Sequence, residues 1–320
     1  MHIPVLKNEV IRYLDLKSGD NVIDLTVGGG GHARHILARI APKGKLIGLD
    51  WDKKALKIAR ENLKKYKKRI NLIQANYKQI KKIKNEQFNL LTINAILLDL
   101  GFSSITLEDK SRGYSFQTDG PLDMRYNPAE TEKTAAGILN HYSQRKLSEV
   151  FKKFGEEKLA VPIAREIVKK RKKKKFKTTK NLVQAIINTY KDKYNINKKE
   201  PFIKRKDKIH PATKVFQALR LEVNDELDNL KKALPQTLEI LEKGGRLGVI
   251  SFHSLEDRIV KNFFKKEAKK CICPPEFPVC RCGHEKSLKI ITKKPVRASE
   301  EEIKKNPKSR SAKLRIAEKI

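Results

Sequence analysis

Over the first hundred residues, short apolar runs alternate with amphipathic stretches. Asn21-Val22-Ile23-Asp24 follows a Ser-Gly-Asp turn and predicts a short strand. A helix-like stretch comes next, through Ile36, Leu37 and Ile40. Lys45–Asp50 is a second apolar run. The segment Lys53–Tyr66 has apolar residues at Ala55, Leu56, Ala59 and Leu63, which is helical spacing. Ile70–Gln74 is a third run, and Ala95–Asp99 is a fourth, apolar enough to be buried on both sides. Strands of this kind separated by helices predict an α/β fold, a parallel sheet covered on both faces.

The pattern changes between about Ser103 and His210. A polar loop, Leu107–Pro128, precedes helical segments around Leu147–Phe154, Leu159–Val168 and Leu182–Tyr190. Strand–helix grammar returns at Thr213. Helices are predicted over Val215–Leu221 and Asp225–Leu241, with Gly244-Gly245 as the stop signal. Arg246–Phe252 then reads as a strand, and Leu288–Thr292 and Ala312–Ala317 supply closing strands. The expected organisation is a sheet domain split into residues 1–105 and 210–320, with a mostly helical module, 106–209, inserted between its parts. No internal repeat is visible.

The 320 residues are 39% hydrophobic, enough for a real core, which excludes a wholly disordered chain. Lys and Arg number 72 against 37 Asp and Glu, a net charge of +35. That surplus suits an anionic polymer or an acidic partner. The chain is also rich in Lys, Ile and Asn together, as codon bias produces, so charge alone does not choose a partner. The run Lys169–Lys175 reads either as a solvated helix end or as a phosphate contact. No run reaches the length of a membrane span, and the N-terminus lacks the layout of a signal peptide, so a cytoplasmic protein is expected.

Candidate chemistry begins at Asp24-Leu-Thr-Val-Gly28-Gly-Gly-Gly31-His32. Glycines after a strand allow a tight turn and close approach to a ligand, and the following helix offers free N–H groups. Asp24, Asp50 and Asp99 each end an apolar run. In open α/β sheets ligands bind at the carboxyl ends of strands. Gly28, Gly30 and Ala33 satisfy a relaxed dinucleotide fingerprint, so a nicotinamide-dependent oxidoreductase is one reading. An acid before the glycines and another ending the second strand resembles S-adenosylmethionine-dependent methyltransferases instead, with Asp50 accepting from the ribose hydroxyls.

Further motifs make the likeness specific. They are His2-Ile-Pro-Val-Leu6, Gly28–His32, Leu97-Leu-Asp-Leu-Gly-Phe-Ser-Ser104, Arg112-Gly-Tyr-Ser-Phe116 and Asp119-Gly-Pro-Leu-Asp-Met-Arg125. His210-Pro-Ala-Thr213, Phe216-Gln-Ala-Leu-Arg220, Ser251–Arg258 and Arg310–Arg315 continue the series. In this order, over nearly the whole chain, they resemble the bacterial small-subunit ribosomal RNA cytosine-N4 methyltransferases, the MraW or RsmH family. The resemblance implies a Rossmann-like methyltransferase sheet with an inserted, helical substrate domain. It implies methylation of the exocyclic amine of a cytosine in the decoding region of 16S ribosomal RNA, within the small subunit, with S-adenosylmethionine as cofactor and no obligate protein partner. By motif position the cofactor residues are Gly30, Gly31, His32, Asp50, Tyr77 and Asp99. Thr106 stands where the family commonly has Gln, which puts that contact in doubt.

A cytosine amine is a poor nucleophile. The protein must align it with the methyl group, exclude water and help it lose a proton. Asp99, Ser103 and His253 are the expected neighbours of that point. His253 reads equally as a structural histidine, and Asp99 as a cofactor ligand alone. Tyr114, Phe116 and Tyr126, interleaved with Arg112 and Arg125, either stack on RNA bases or pack the inserted module. Lys169–Lys175 and Arg310–Arg315 are candidate phosphate contacts.

All four cysteines lie between Cys271 and Cys282, as two C-x-C pairs around a Pro-rich loop. In a reducing compartment they read as thiols or as a tetrahedral zinc site, although zinc knuckles usually use C-x₂-C. Such pairs are absent from some members of the resembled family, so no metal is expected in catalysis. A non-catalytic RNA-binding or ribosome-assembly protein on this fold is the other reading. Intact acids and glycines argue against it.

Overall fold

A computed structural model describes residues 4–101, 104–196, 210–274, 276–277 and 279–320. Seven strands form one sheet: β1 (Val22–Asp24), β2 (Leu46–Asp50), β3 (Ile70–Gln74), β4 (Ile93–Asp99), β5 (Leu241–Ser251), β6 (Leu288–Ile290) and β7 (Lys313–Lys319). Thirteen helices accompany them among the described residues. Before β5 these are α1 (Lys7–Leu14), α2 (Gly31–Arg39), α3 (Lys53–Asn62), α4 (Ile80–Gln87), α5 (Ser104–Glu108), α6 (Ala135–His141), α7 (Gln144–Gly155), α8 (Ala160–Arg171), α9 (Thr179–Lys193), α10 (Ala212–Asn224) and α11 (Glu226–Ile240). After it come α12 (Ser254–Glu267) and α13 (Glu300–Lys305).

The chain forms two compact units, residues 1–103 with 227–320, and residues 104–226. In the first, the strand order is β3-β2-β1-β4-β5-β7-β6. The strands from β3 to β5 are parallel, the doubly wound order, with a reversal of winding between β1 and β4. β7 is antiparallel to both β5 and β6. Alternation along the strands produces two cores, as expected for a sheet covered on both faces. Ala95 and Leu97 pack with Val10, Ile36, Leu37 and Leu56 of α1, α2 and α3. Ile96 and Leu98 pack with Ile80, Leu234, Val260 and Phe264 of α4, α11 and α12.

The sequence reading needs correction at several ends. α3 stops at Asn62, and Lys64–Tyr66 is a separate 3₁₀ turn. β5 begins at Leu241, and Gly244, at φ +78°, lies within it. The ladder to β4 shifts there, because Ile93 pairs with Leu241 but Ala95 pairs with Arg246. The diglycine thus makes a bulge inside the strand rather than the stop before it.

The second unit is built on one core. Leu147 and Phe151 of α7, Ile163 and Ile167 of α8, Leu182 and Ile186 of α9, and Val215 and Leu219 of α10 close around it. α10, expected with the sheet, therefore belongs to this unit, which runs to Glu226 rather than ending at 209. The expected polar loop is part of the same core. Tyr114, Leu122 and Met124 are buried, and Asn224 clamps the loop by donating to Met124 O (2.7 Å) and accepting from Tyr126 N–H (2.9 Å).

Candidate active site

Asp24 pairs in register with Gly48 on β2 and with Leu97 on β4. Asp50 and Asp99 each lie two residues beyond those partners. All three acids therefore collect at the carboxyl edge of the sheet, beside the reversal between β1 and β4.

The chain leaving β1 ties them together. Leu25 N–H donates to Leu97 O (2.9 Å), and Val27 N–H to Leu49 O (2.8 Å). Thr26 N–H donates to Asp24 Oδ1 (3.1 Å), while Thr26 Oγ1 accepts from Asp99 N–H (2.7 Å). Gly28 N–H donates to Asp50 Oδ2 (2.9 Å), and Asp52 N–H to Asp50 Oδ1 (2.8 Å). Trp51 N–H is a third backbone donor to this carboxylate, which leaves one of its four lone-pair sites to offer.

Gly28 (φ +53°) and Gly30 (φ +86°) hold the left-handed conformations that turn the chain into α2. A Cβ on Gly30 would also lie 2.7 Å from Leu63 Cδ1. Gly31 opens α2, and His32 follows, buried in its first turn. His32 Nε2 lies 3.6 Å from Asp99 Oδ2. The Asp99 side chain is 25% exposed, while its Oδ1 atom is enclosed and has no hydrogen-bond partner among the described residues. Tyr77 starts the 3₁₀ turn after β3, which Asn76 caps, and packs half-buried against the core that includes Leu100 and Ala75.

Burial pushes Asp24 up to about 7, against the Thr26 hydrogen bond and with Asp50 adding to the rise. Burial likewise raises Asp50 to about 6, opposed by the N–H groups of Asp52 and Gly28. Asp99 is pushed well above the usual carboxylate range by burial, then by Asp24 and Glu256. The edge is therefore a desolvated acceptor set in which each charge penalises the next. It suits hydroxyl groups and a cation such as a sulfonium or an ammonium.

His253 is the N-cap of α12. Its Nδ1 accepts from Glu256 N–H (3.4 Å), and its Nε2 lies 3.0 Å from Glu256 Oε1. Oε2 of the same carboxylate accepts from Phe252 N–H (2.8 Å). Nδ1 is thus engaged by Glu256, while the buried Nε2 makes no hydrogen bond among the described residues. Thr106 lies on α5 of the other unit, buried. Ser103 lies outside the described residues.

Sequence reasoning missed Thr26, which joins Asp24 to Asp99, and Glu256, which holds His253. The second had a signal, because His253 and Glu256 have the spacing of a capping box.

The aromatic candidates pack within their own unit. Tyr114 stacks on Tyr126 (5.6 Å between centroids), and Phe116 on His210 (4.7 Å). The arginines among them are also engaged. Arg125 makes a two-pronged pair with Asp123 (2.9 and 2.7 Å), and Arg112 lies 3.3 Å from Asp109. Of the basic run, Lys169–Arg171 form the last turn of α8, and Arg171 donates to Leu139 O and Tyr142 O, both at 2.7 Å. Arg315, expected at a phosphate, is buried against Asp257 (2.6 Å).

The family model described as the MraW methylase family matches residues 1–320. This chain belongs to the MraW methylase family. Relatives named ribosomal RNA small subunit methyltransferase H agree with it. The protein from Carboxydothermus hydrogenoformans is 47% identical over 100% of this chain and 98% of its own. Those from Heliobacterium mobile and Clostridium botulinum (strain 657) are 46% and 45% identical, over 100% of this chain and 99% of theirs. A solved structure of a putative rRNA methylase from Clostridium thermocellum aligns over all of both chains with 12% identity and a TM-score of 0.44, too distant to add to this. For an MraW methylase the acid edge is a fitting seat for S-adenosylmethionine, since its acceptors match the ribose hydroxyls, amino group and sulfonium of that cofactor. Among the described residues no helix is long and apolar enough to cross a membrane.

Proposed function

We propose that this chain transfers a methyl group from S-adenosylmethionine to the N4 amine of a cytosine in the decoding region of 16S ribosomal RNA. Its partner is then the small ribosomal subunit, met in the cytoplasm. The observation that carries the reading is the Asp99 carboxylate, held at the carboxyl edge beside the glycine turn with Oδ1 unpartnered among the described residues.

In this reading Asp50 accepts from a ribose hydroxyl through the lone pair its backbone bonds leave over. Gly30 and Gly31 let the backbone approach the amino-acid part of the cofactor, and Tyr77 borders the adenine. When bound, the cofactor supplies an electrophilic methyl group on a cationic sulfur. Asp99 accepts a hydrogen bond from the cytosine amine and so orients its lone pair. Transfer would leave the C–S bonding pair with the cofactor's sulfur and the amine nitrogen with an acidic proton. Asp99 then takes its proton, a task that suits a carboxylate whose affinity for protons is raised. His32 Nε2 stands 3.6 Å from the other Asp99 oxygen.

His253 acts here as a positioning residue, because its Nδ1 caps α12 by accepting from Glu256 N–H. Ser103 is carried into the proposed site by its place in the family motif alone. The helical unit, residues 104–226, is assigned to RNA recognition, and the target base must leave its stack to present its amine.

The test is methyl transfer from labelled S-adenosylmethionine to unmodified small subunits and to naked 16S RNA, with the product nucleoside identified. N4-methylated cytidine at one site is the expected result. Cofactor and subunit binding without transfer would favour a non-catalytic assembly role instead.

A further inference from the structure

The loop 268–287 connects α12 to β6 without helix or strand of its own among its described residues. Loops of this length are uncommon in compact domains unless something orders them. This one has no core. Its large apolar side chains Ile272, Phe277 and Val279 are 39%, 52% and 67% exposed. At its base, Ser287 N–H donates to Glu267 O (2.9 Å), Ser287 Oγ to Glu267 Oε2 (2.8 Å), and His284 Nε2 lies 3.0 Å from Lys266 O. Beyond that base, the feature that draws the loop together is its cysteines.

The sulfurs of Cys271, Cys273, Cys280 and Cys282 all lie within 4.8 Å of one another. Cys271 Sγ is 3.7 Å from Cys282 Sγ, which is 3.5 Å from Cys280 Sγ. Four sulfurs bound at about 2.3 Å to one tetrahedral ion are about 3.8 Å apart. A disulfide needs about 2.05 Å, and all four cysteines are free thiols. The backbone supplies a second, independent observation. Ile272 N–H points to Cys282 Sγ (3.5 Å), Cys273 N–H to Cys271 Sγ (3.4 Å), and Arg281 N–H to Cys273 Sγ (3.3 Å). A neutral thiol is a weak acceptor, so amides turned onto sulfur favour thiolates. Four thiolates around a divalent ion leave the site anionic, and Lys269, Lys270, Arg281 and Lys286 surround it in sequence.

We propose that Cys271, Cys273, Cys280 and Cys282 bind one zinc ion as a tetrathiolate that fastens the loop between α12 and β6. The C-x-C spacing, unlike that of a knuckle, closes here because the two pairs approach from opposite arms of the loop. The ion lies outside the methyl-transfer chemistry and acts as a substitute for a core. A tetrahedral sulfur site also accepts iron, and the tests separate the two.

The full-length protein is purified in reductant without chelator, and its metals are measured. The expected content is about one zinc per chain, released by mercurial titration of the thiols. Replacement with cobalt should produce sulfur-to-metal charge-transfer absorption and the visible bands of a tetrahedral site. The double variant Cys280→Ser/Cys282→Ser should hold less than about a tenth of the wild-type zinc, with S-adenosylhomocysteine affinity within about twofold. Chelator should speed tryptic cleavage after Lys269, Lys270, Arg281 or Lys286 by about tenfold or more. The proposal is overturned if protein supplied with zinc in reductant holds no stoichiometric metal. It is also overturned if the ion is iron, if anaerobically purified protein carries disulfides, or if the double variant retains its zinc. Unchanged cleavage after metal removal would overturn the fastening role.

Discussion

His32 on the first turn of α2 places Nε2 3.6 Å from Oδ2 of Asp99 at the end of β4. The glycine turn and the fourth strand thus meet at one carboxylate, whose backbone N–H is already held by Thr26. Asp99→Asn keeps the shape and removes the proton acceptor. Single-turnover methylation of bound RNA should fall by about 10² or more. S-Adenosylhomocysteine affinity, measured by calorimetry, should change far less. Equal losses in both would make Asp99 a cofactor ligand alone.

Asp50→Ala removes the proposed ribose acceptor and releases the Gly28 and Asp52 amides. Cofactor affinity should drop about tenfold or more, as for the loss of a charge-assisted hydrogen bond. RNA binding in the absence of cofactor should be unaffected, which a filter-binding assay checks.

The raised proton affinity of Asp24 has a stability consequence. Its folded value of about 7 lies above the unfolded 3.8, so the native state binds more protons between them. Stability contributed by this group is full below the unfolded value and is lost as pH rises towards 7. Asp24→Asn mimics the protonated form. The variant should melt several degrees above wild type at pH 8, with the gap shrinking towards pH 4, as scanning calorimetry across that range would record. A gap that widens on acidification would contradict the burial argument.

His253→Asn should keep turnover near wild type, since Asn is an effective N-cap, whereas His253→Ala should cost about 1 kcal/mol of stability. If turnover collapses in the Asn variant while melting is unchanged, His253 touches the reaction directly.

Lys172–Lys175 project beyond the end of α8 and are exposed. Lys172→Ala/Lys174→Ala should weaken subunit binding and reduce the salt slope by about 2, with no change in melting. Arg171→Ala should instead destabilise the helical unit, because Arg171 bonds the carbonyls of Leu139 and Tyr142. Identical salt slopes in wild type and the double variant would place the RNA elsewhere.

The sheet strands up to Asp99, the helices α2 and α3 and the acids at the strand ends were legible along the chain, while α4 was not. Each depends on local periodicity and on which residue ends an apolar run. The glycine turn was legible for the same reason, since its backbone conformation demands that residue type. The family motifs named the cofactor from the same positions. Three-dimensional packing decided the rest. β7 runs antiparallel between β5 and β6, and pairing partners distant in sequence leave no local mark. α10 joins the helical unit because Val215 and Leu219 complete the core around Phe151, which any apolar helix face might equally have done elsewhere. By type Tyr114, Phe116 and Arg125 suited either RNA or internal packing, and Arg315 a phosphate; stacking and ion pairing engage them internally. A charged or aromatic side chain carries the same chemistry toward protein as toward RNA, and only its neighbours in space determine which it meets. The four cysteines show the same division: their number and compartment left thiols or a metal open, and the convergence of their sulfurs within 4.8 Å is set by how the loop folds back.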